Sequence, residues 1–125
     1  MKLGDGVEVT RTFSAQHLRD YTELSGHHPR DGEIPAPLVG ALFSYLLGVK
    51  LPGMGTNYLK QEARFHANAT VGDILTARVE ITRLRHDKQL VDLATTCHSN
   101  NGQIIATGRA LVYVGDLIRK TGFET

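Results

Sequence analysis

The strongest constraint in this sequence lies at its middle. There the apolar residues Leu38, Val39, Ala41, Leu42, Phe43, Tyr45, Leu46 and Leu47 leave almost no polar side when wound into a helix. A surface helix keeps one polar face, so a helix apolar nearly all round should be buried on most of its surface. Pro37 suits the first helical position, where its missing N–H is no loss, and Gly48 followed by Pro52-Gly53 supplies a stop. The run is shorter than the roughly 18 residues a membrane span needs, and Gly and Pro bracket it, so it reads as a core helix and not an anchor.

What encloses it must come from the later half of the chain, where the period changes to two. Leu75, Ala77, Val79 and Ile81 share one face, while Thr76, Arg78, Glu80 and Thr82 share the other, which is the pattern of a half-buried strand. Turn signals at Arg85–Lys88 and Asn100-Asn101-Gly102 separate Leu90–His98 from Gln103–Val114, giving an antiparallel meander of long strands. Asn57–His66 and a weakly alternating Val7–Phe13 bring the sheet to about five strands. Ser14 is placed to cap a first helix over Ala15–Leu24, which Ser25-Gly26 ends. The tail after Asp116 is polar enough to fray.

Composition narrows the function. The 125 residues, 41% of them hydrophobic, suit one domain over residues 1–125 with a modest core. A net charge of +1 without a Lys or Arg cluster gives no footprint for nucleic acid or an anionic membrane. The single cysteine, Cys97, cannot form an internal disulfide, and the N-terminal residues lack an apolar signal core, so a reducing cytoplasm is expected. Cys97 sits in an alternating strand pattern and reads as packing, not as a nucleophile. Phe43 and Tyr45 likewise read as core.

A helix apolar all round, followed by long antiparallel strands, is accommodated when the sheet curls around the helix and a second subunit covers what remains. This is the hot-dog arrangement, an α+β fold. The sequence resembles the MaoC-like acyl-CoA dehydratases, and among them the small (R)-specific enoyl-CoA hydratases. The resemblance rests on Leu24-Ser25-Gly26, Ala41-Leu42-Phe43-Ser44, Leu46-Leu47-Gly48, Leu51-Pro52-Gly53 with Gly55, Tyr58-Leu59 with Gln61, Arg64-Phe65, Val71-Gly72-Asp73 and Gly108. These words keep their order from Leu24 to Val114.

The resemblance implies a homodimer that binds an acyl-CoA or acyl-carrier-protein thioester. It also implies that the Ala36 N–H stands where the family's glycine N–H polarises the thioester carbonyl, and that Ser44 matches a serine supporting the catalytic dyad. The family pattern S-G-D-x-N-P-x-H is replaced here by Ser25-Gly26-His27-His28-Pro29-Arg30-Asp31, and about a dozen residues of the substrate loop before the helix are missing. His27 stands at the aspartate position, and Asp31 lies near the expected histidine.

Hydration of an enoyl thioester needs a base to activate water, an acid to protonate the α-carbon, and a donor for the enolate oxygen. His27 has the right chemistry for the base, with Asp31 as its partner or as the acid. His28, Glu33, Ala36 and Ser44 complete the expected substrate-binding set. In a thioesterase on the same fold, Glu33 or Asp31 would activate water. A non-catalytic acyl-thioester-binding module is the third reading, with the loop a solvated turn. Adjacent histidines with Asp31 and Glu33 lack any metal-ligand spacing, and no Gly-rich phosphate loop follows a strand, so no metal or cofactor is expected. His17, His66, His86 and His98 read as surface, interface or packing residues.

Overall fold

The computed structural model describes residues 2–26, 32–53 and 57–115. The elements are β1 (Gly6–Thr12), α1 (Ala15–Ser25), α2 (Ala36–Tyr45), a π-helical turn (Leu46–Lys50), β2 (Asn57–Phe65), β3 (Ile74–Arg85), β4 (Leu90–Ser99) and β5 (Ile104–Tyr113). The strands form a single antiparallel sheet of five in the order β1-β3-β4-β5-β2. β1 and β2 are therefore its two edges.

The alternation in β3 delivers what it promised. Leu75, Ala77, Val79 and Ile81 are buried, and the register aligns them with Ser99, Cys97, Thr95 and Leu93 of β4. β5 adds Ala106, Ala110 and Val112 to the same face. Against this face lie Val39, Leu42 and Phe43 of α2 and Leu46 and Leu47 of the π-helical turn, forming one continuous core. No helix among the described residues is long and apolar enough to cross a membrane.

The central helix departs from expectation in two respects. It begins at Ala36, so Pro37 is the second helical residue, where a missing N–H still falls among the donors a helix leaves unpaired. Gly48 does not stop it. The chain continues in a wider π-helical turn to Lys50, which carries Leu46 and Leu47 into the core before Leu51 turns extended. Burial of two leucines outweighs the weak breaking tendency of one glycine, roughly 1 kcal/mol, and the positive φ of Gly53 makes the turn. Part of the helix surface is open in the single chain: Ala36, Pro37, Ala41 and Ser44 are exposed, and Leu38 and Tyr45 are half-buried.

α1 is capped as expected by Ser14, whose hydroxyl accepts from the His17 N–H. The reciprocal bond of the capping box comes from an unusual residue, because the Ser14 N–H donates to Nδ1 of His17 at 2.9 Å. Gly26 closes the helix with φ 72°, a left-handed conformation suited to glycine. The polar tail from Asp116 onward lies outside the described residues.

Candidate functional site

Three of the expected site residues, His27, His28 and Asp31, fall outside the described residues, so their mutual geometry is not part of the site drawn here. The other three, Glu33, Ala36 and Ser44, are placed. Residues 32–34 run beside the turn before β3, where Val71 N–H donates to the Gly32 carbonyl at 2.7 Å and Ile34 N–H to the Ala69 carbonyl at 2.8 Å. Gly32 has φ 74°, so the path into this segment suits a glycine. Glu33 forms an isolated antiparallel bridge with Thr70, and its carboxylate accepts from Asn68 Nδ2 at 3.0 Å. That carboxylate is thus oriented by a side chain 35 residues away in the sequence.

Ala36 opens α2. Pro35 holds the N-cap position with no side-chain hydrogen bond to the helix, and no acceptor among the described residues takes the Ala36 N–H. The residue is exposed. An uncapped first turn presents N–H donors and the positive end of the helix dipole to whatever oxygen approaches. Ser44 is exposed on the same helix, eight residues on, or about 12 Å further along the axis at the usual rise. Ala36 and Ser44 are therefore not brought together, and would meet different parts of an extended ligand.

Beneath the helix, the face shared by β4 and β5 carries small side chains. Thr95 stands opposite Gly108, and Cys97 opposite Ala106. Thr95 Oγ1 is buried without a hydrogen-bond partner among the described residues, a state that costs on the order of 1–3 kcal/mol. Burial pushes the Cys97 thiol up to about 11, so it stays protonated and inert near neutral pH, as its packing role predicts. Gly108 permits a close approach. A Cβ there would meet the Glu62 carbonyl oxygen and lie 2.9 Å from Ala63 Cα.

β2 itself is exposed on both faces from Leu59 to Phe65, including Gln61, Ala63 and Phe65, which the register sets opposite the buried face of β5. On the outer face, Lys60 pairs with Glu62 at 2.9 Å and Arg109 reaches it at 3.6 Å. The hydrogen bond from Lys60, aided by Arg109, holds the Glu62 carboxyl below its ordinary range. His66 Nε2 lies 2.7 Å from Thr107 Oγ1, and His86 and His98 are exposed. No group of three or more metal-ligating side chains occurs among the described residues.

One feature escaped the sequence reading. Val9, Phe13, Leu38 and Leu42 floor a groove of about 320 Å³ beside β1, with Arg11, His17 and Tyr45 on its walls. Tyr45, expected in the core, is half-buried there with the Arg11 guanidinium 5.9 Å over its ring. The available signal was parity, since Arg11 follows Val7 and Val9 on the same face of β1, although it is exposed.

No family model matches the chain. Its relatives are nonetheless clear. It is 38% identical to the 3-hydroxybutyryl-CoA dehydratase of Methylorubrum extorquens over 109 residues, covering 86% of this chain and 68% of that protein. It is 45% identical to the (R)-specific enoyl-CoA hydratase of Aeromonas caviae over 75 residues, which is 60% of this chain and 56% of the relative. That sequence match thus spans just over half of the Aeromonas protein. The solved structure of an A. caviae (R)-hydratase involved in PHA biosynthesis superimposes with a TM-score of 0.83 at 30% identity, covering 91% of this chain and 97% of that one. A sheet of this order wrapped on one face around a central helix, together with this degree of identity, establishes that the chain belongs to the MaoC-like hot-dog family of the (R)-specific enoyl-CoA hydratases.

Proposed function

We propose that the protein binds an acyl-CoA or acyl-carrier-protein thioester as a single domain, residues 1–125, paired as a homodimer, and that any reaction it catalyses is hydration or dehydration of the enoyl-CoA hydratase type. The observation that carries this reading is the Ala36 N–H on the uncapped first turn of α2, which no acceptor among the described residues takes. A thioester carbonyl placed there gains a hydrogen bond and the helix dipole, and both strengthen as negative charge builds on oxygen in the enolate. In the hydration, His27 takes a proton from water as its oxygen bonds to the β-carbon. The α-carbon gains a proton from Asp31 or from the protonated His27.

The proposed dimer is supported by β2, a free edge whose two faces both meet solvent in the single chain, including the side that continues the buried face of β5. A second subunit would cover that side. The oriented Glu33 carboxylate favours a second reading, thioester hydrolysis, in which Glu33 activates the water while Asn68 holds it in place. The absence of any membrane-length helix among the described residues is compatible with work in the cytoplasm.

The test mixes purified protein with short and medium trans-2-enoyl-CoA while following enoyl absorbance and free CoA together. Absorbance loss without CoA release, abolished in His27→Ala, is the expected result. CoA release that disappears in Glu33→Gln would transfer the assignment to a thioesterase. Silence in both channels, with acyl-CoA still retained in equilibrium dialysis, would leave a non-catalytic binding module.

A further inference from the structure

The groove between β1 and α2 lies away from both the β2 edge and the small-residue face under the helix, and the proposed reaction makes no use of it. β1 is the opposite edge of the sheet from β2. Its floor is apolar, from Val9, Phe13, Leu38 and Leu42. At its wall stands a cation. Register sets Val7, Val9 and Arg11 opposite Val79, Ala77 and Leu75, so Arg11 shares the face of the two valines, though at this end of β1 it is exposed to solvent.

No carboxylate among the described residues pairs with Arg11. Its contacts there are the Thr10 carbonyl, to which Nη1 donates at 3.0 Å, and the Tyr45 ring. A second donor lines the same groove. His17 accepts the Ser14 N–H on Nδ1, which leaves its proton on Nε2 in the neutral ring.

We propose that this groove binds a free medium-chain fatty acid, with the alkyl chain along Val9, Leu38 and Leu42 and the carboxylate on the Arg11 guanidinium. The argument is charge complementarity. A cation at the rim of an apolar groove, with no acid paired to it among the described residues, gains most from an anion whose apolar body fills the space beside it, and guanidinium and carboxylate match in planar geometry. A thioester fits less well, because its apolar end carries no charge to pair with Arg11. A charge on an edge strand also deters pairing with other strands; that role alone requires no ligand and predicts no preference for an anion.

The experiment follows the methyl NMR signals of the intact protein during titration with sodium octanoate, with 1-octanol and octyltrimethylammonium in parallel. Saturable shifts centred on Val9, Leu38 and Leu42 are expected with octanoate, and weaker ones with the alcohol and the cation. Arg11→Gln should weaken octanoate about fivefold, the scale of an exposed ion pair. Arg11→Lys, which keeps the charge but not the planar fork, should recover only part of the affinity lost in Arg11→Gln, and Ala41→Trp, an exposed position that fills the groove, should abolish binding. Equal binding of octanol, shifts centred on Leu47 and Val112, or an Arg11→Gln titration matching the original protein would each overturn the proposal. So would the absence of saturable shifts with octanoate. The contrast among the three ligands needs no variant, so it stands even if a substitution impairs folding.

Discussion

β4 and β2 are both hydrogen-bonded to β5, yet they live in different surroundings. On β4 every second residue from Val91 to Ser99 is buried beneath the helix, whereas β2 meets solvent on both faces along all seven residues from Leu59 to Phe65. The difference teaches that backbone pairing alone does not make a strand part of the core. β4 is held by side chains packed against α2, while β2 is held to the single chain by its ladder and by the close approach that Gly108 allows.

The comparison is sharpened most by truncation at its stable end. Leu93→Ala should cost about 3 kcal/mol or more, as buried leucines do, seen as a lower midpoint in urea unfolding; a loss below 1 kcal/mol would mean the centre is not the stable part. The next effect comes from Cys97, whose thiol rises from the ordinary 9.0 to about 11 in the fold. The unfolded chain releases that proton first, so above pH 9 the folded state binds more protons and stability falls as pH rises, levelling off past the folded value. The loss should approach a limit somewhat under about 3 kcal/mol between these values. Stability profiles of the original and Cys97→Ala should therefore converge with rising pH, and parallel profiles would place the thiol in water.

Gly108→Ala acts on the other side of the comparison. The added methyl meets the Glu62 carbonyl and pushes β2 away, at a cost of about 1.5 kcal/mol. Amide exchange should quicken in β2 and leave β3 and β4 protected; equal quickening in all three would break the distinction drawn above. Thr95→Val should stabilise the fold by about 1 kcal/mol, since it replaces a buried hydroxyl without a partner among the described residues with a methyl of the same shape. Phe65→Lys, at a position 42% exposed, should change the stability of the single chain by less than about 0.5 kcal/mol. Its readout is sedimentation, where a β2-edge dimer should shift toward monomer.

The sheet was legible in the sequence because its information is local. Leu75, Ala77, Val79 and Ile81 declare a face by alternation, and Asn100-Asn101-Gly102 declares a turn. The end of α2 was less so, because Gly48 signals a stop locally while the demand to bury Leu46 and Leu47 comes from strands far along the chain. Glu33 shows the same limit, since its partner Asn68 lies beyond any local pattern. His17 completes a capping box whose usual Glu or Gln is absent, so Ser14 was found and its reciprocal partner was not. Arg11 was hidden by its charge, which reads as solvent-facing; it is exposed, yet its parity with Val7 and Val9 sets it on their face, beside the groove.

The backbone bonds from Val71 to Gly32 and from Ile34 to Ala69 fasten the chain to the sheet just before α2 begins. For an engineer, that fastening is a socket. Residues inserted upstream of Gly32 lengthen the loop without altering the register in which the helix is delivered, so loop length and helix position can be varied independently. Grafting a longer substrate loop into this chain is then a change to one segment and not a redesign of the fold.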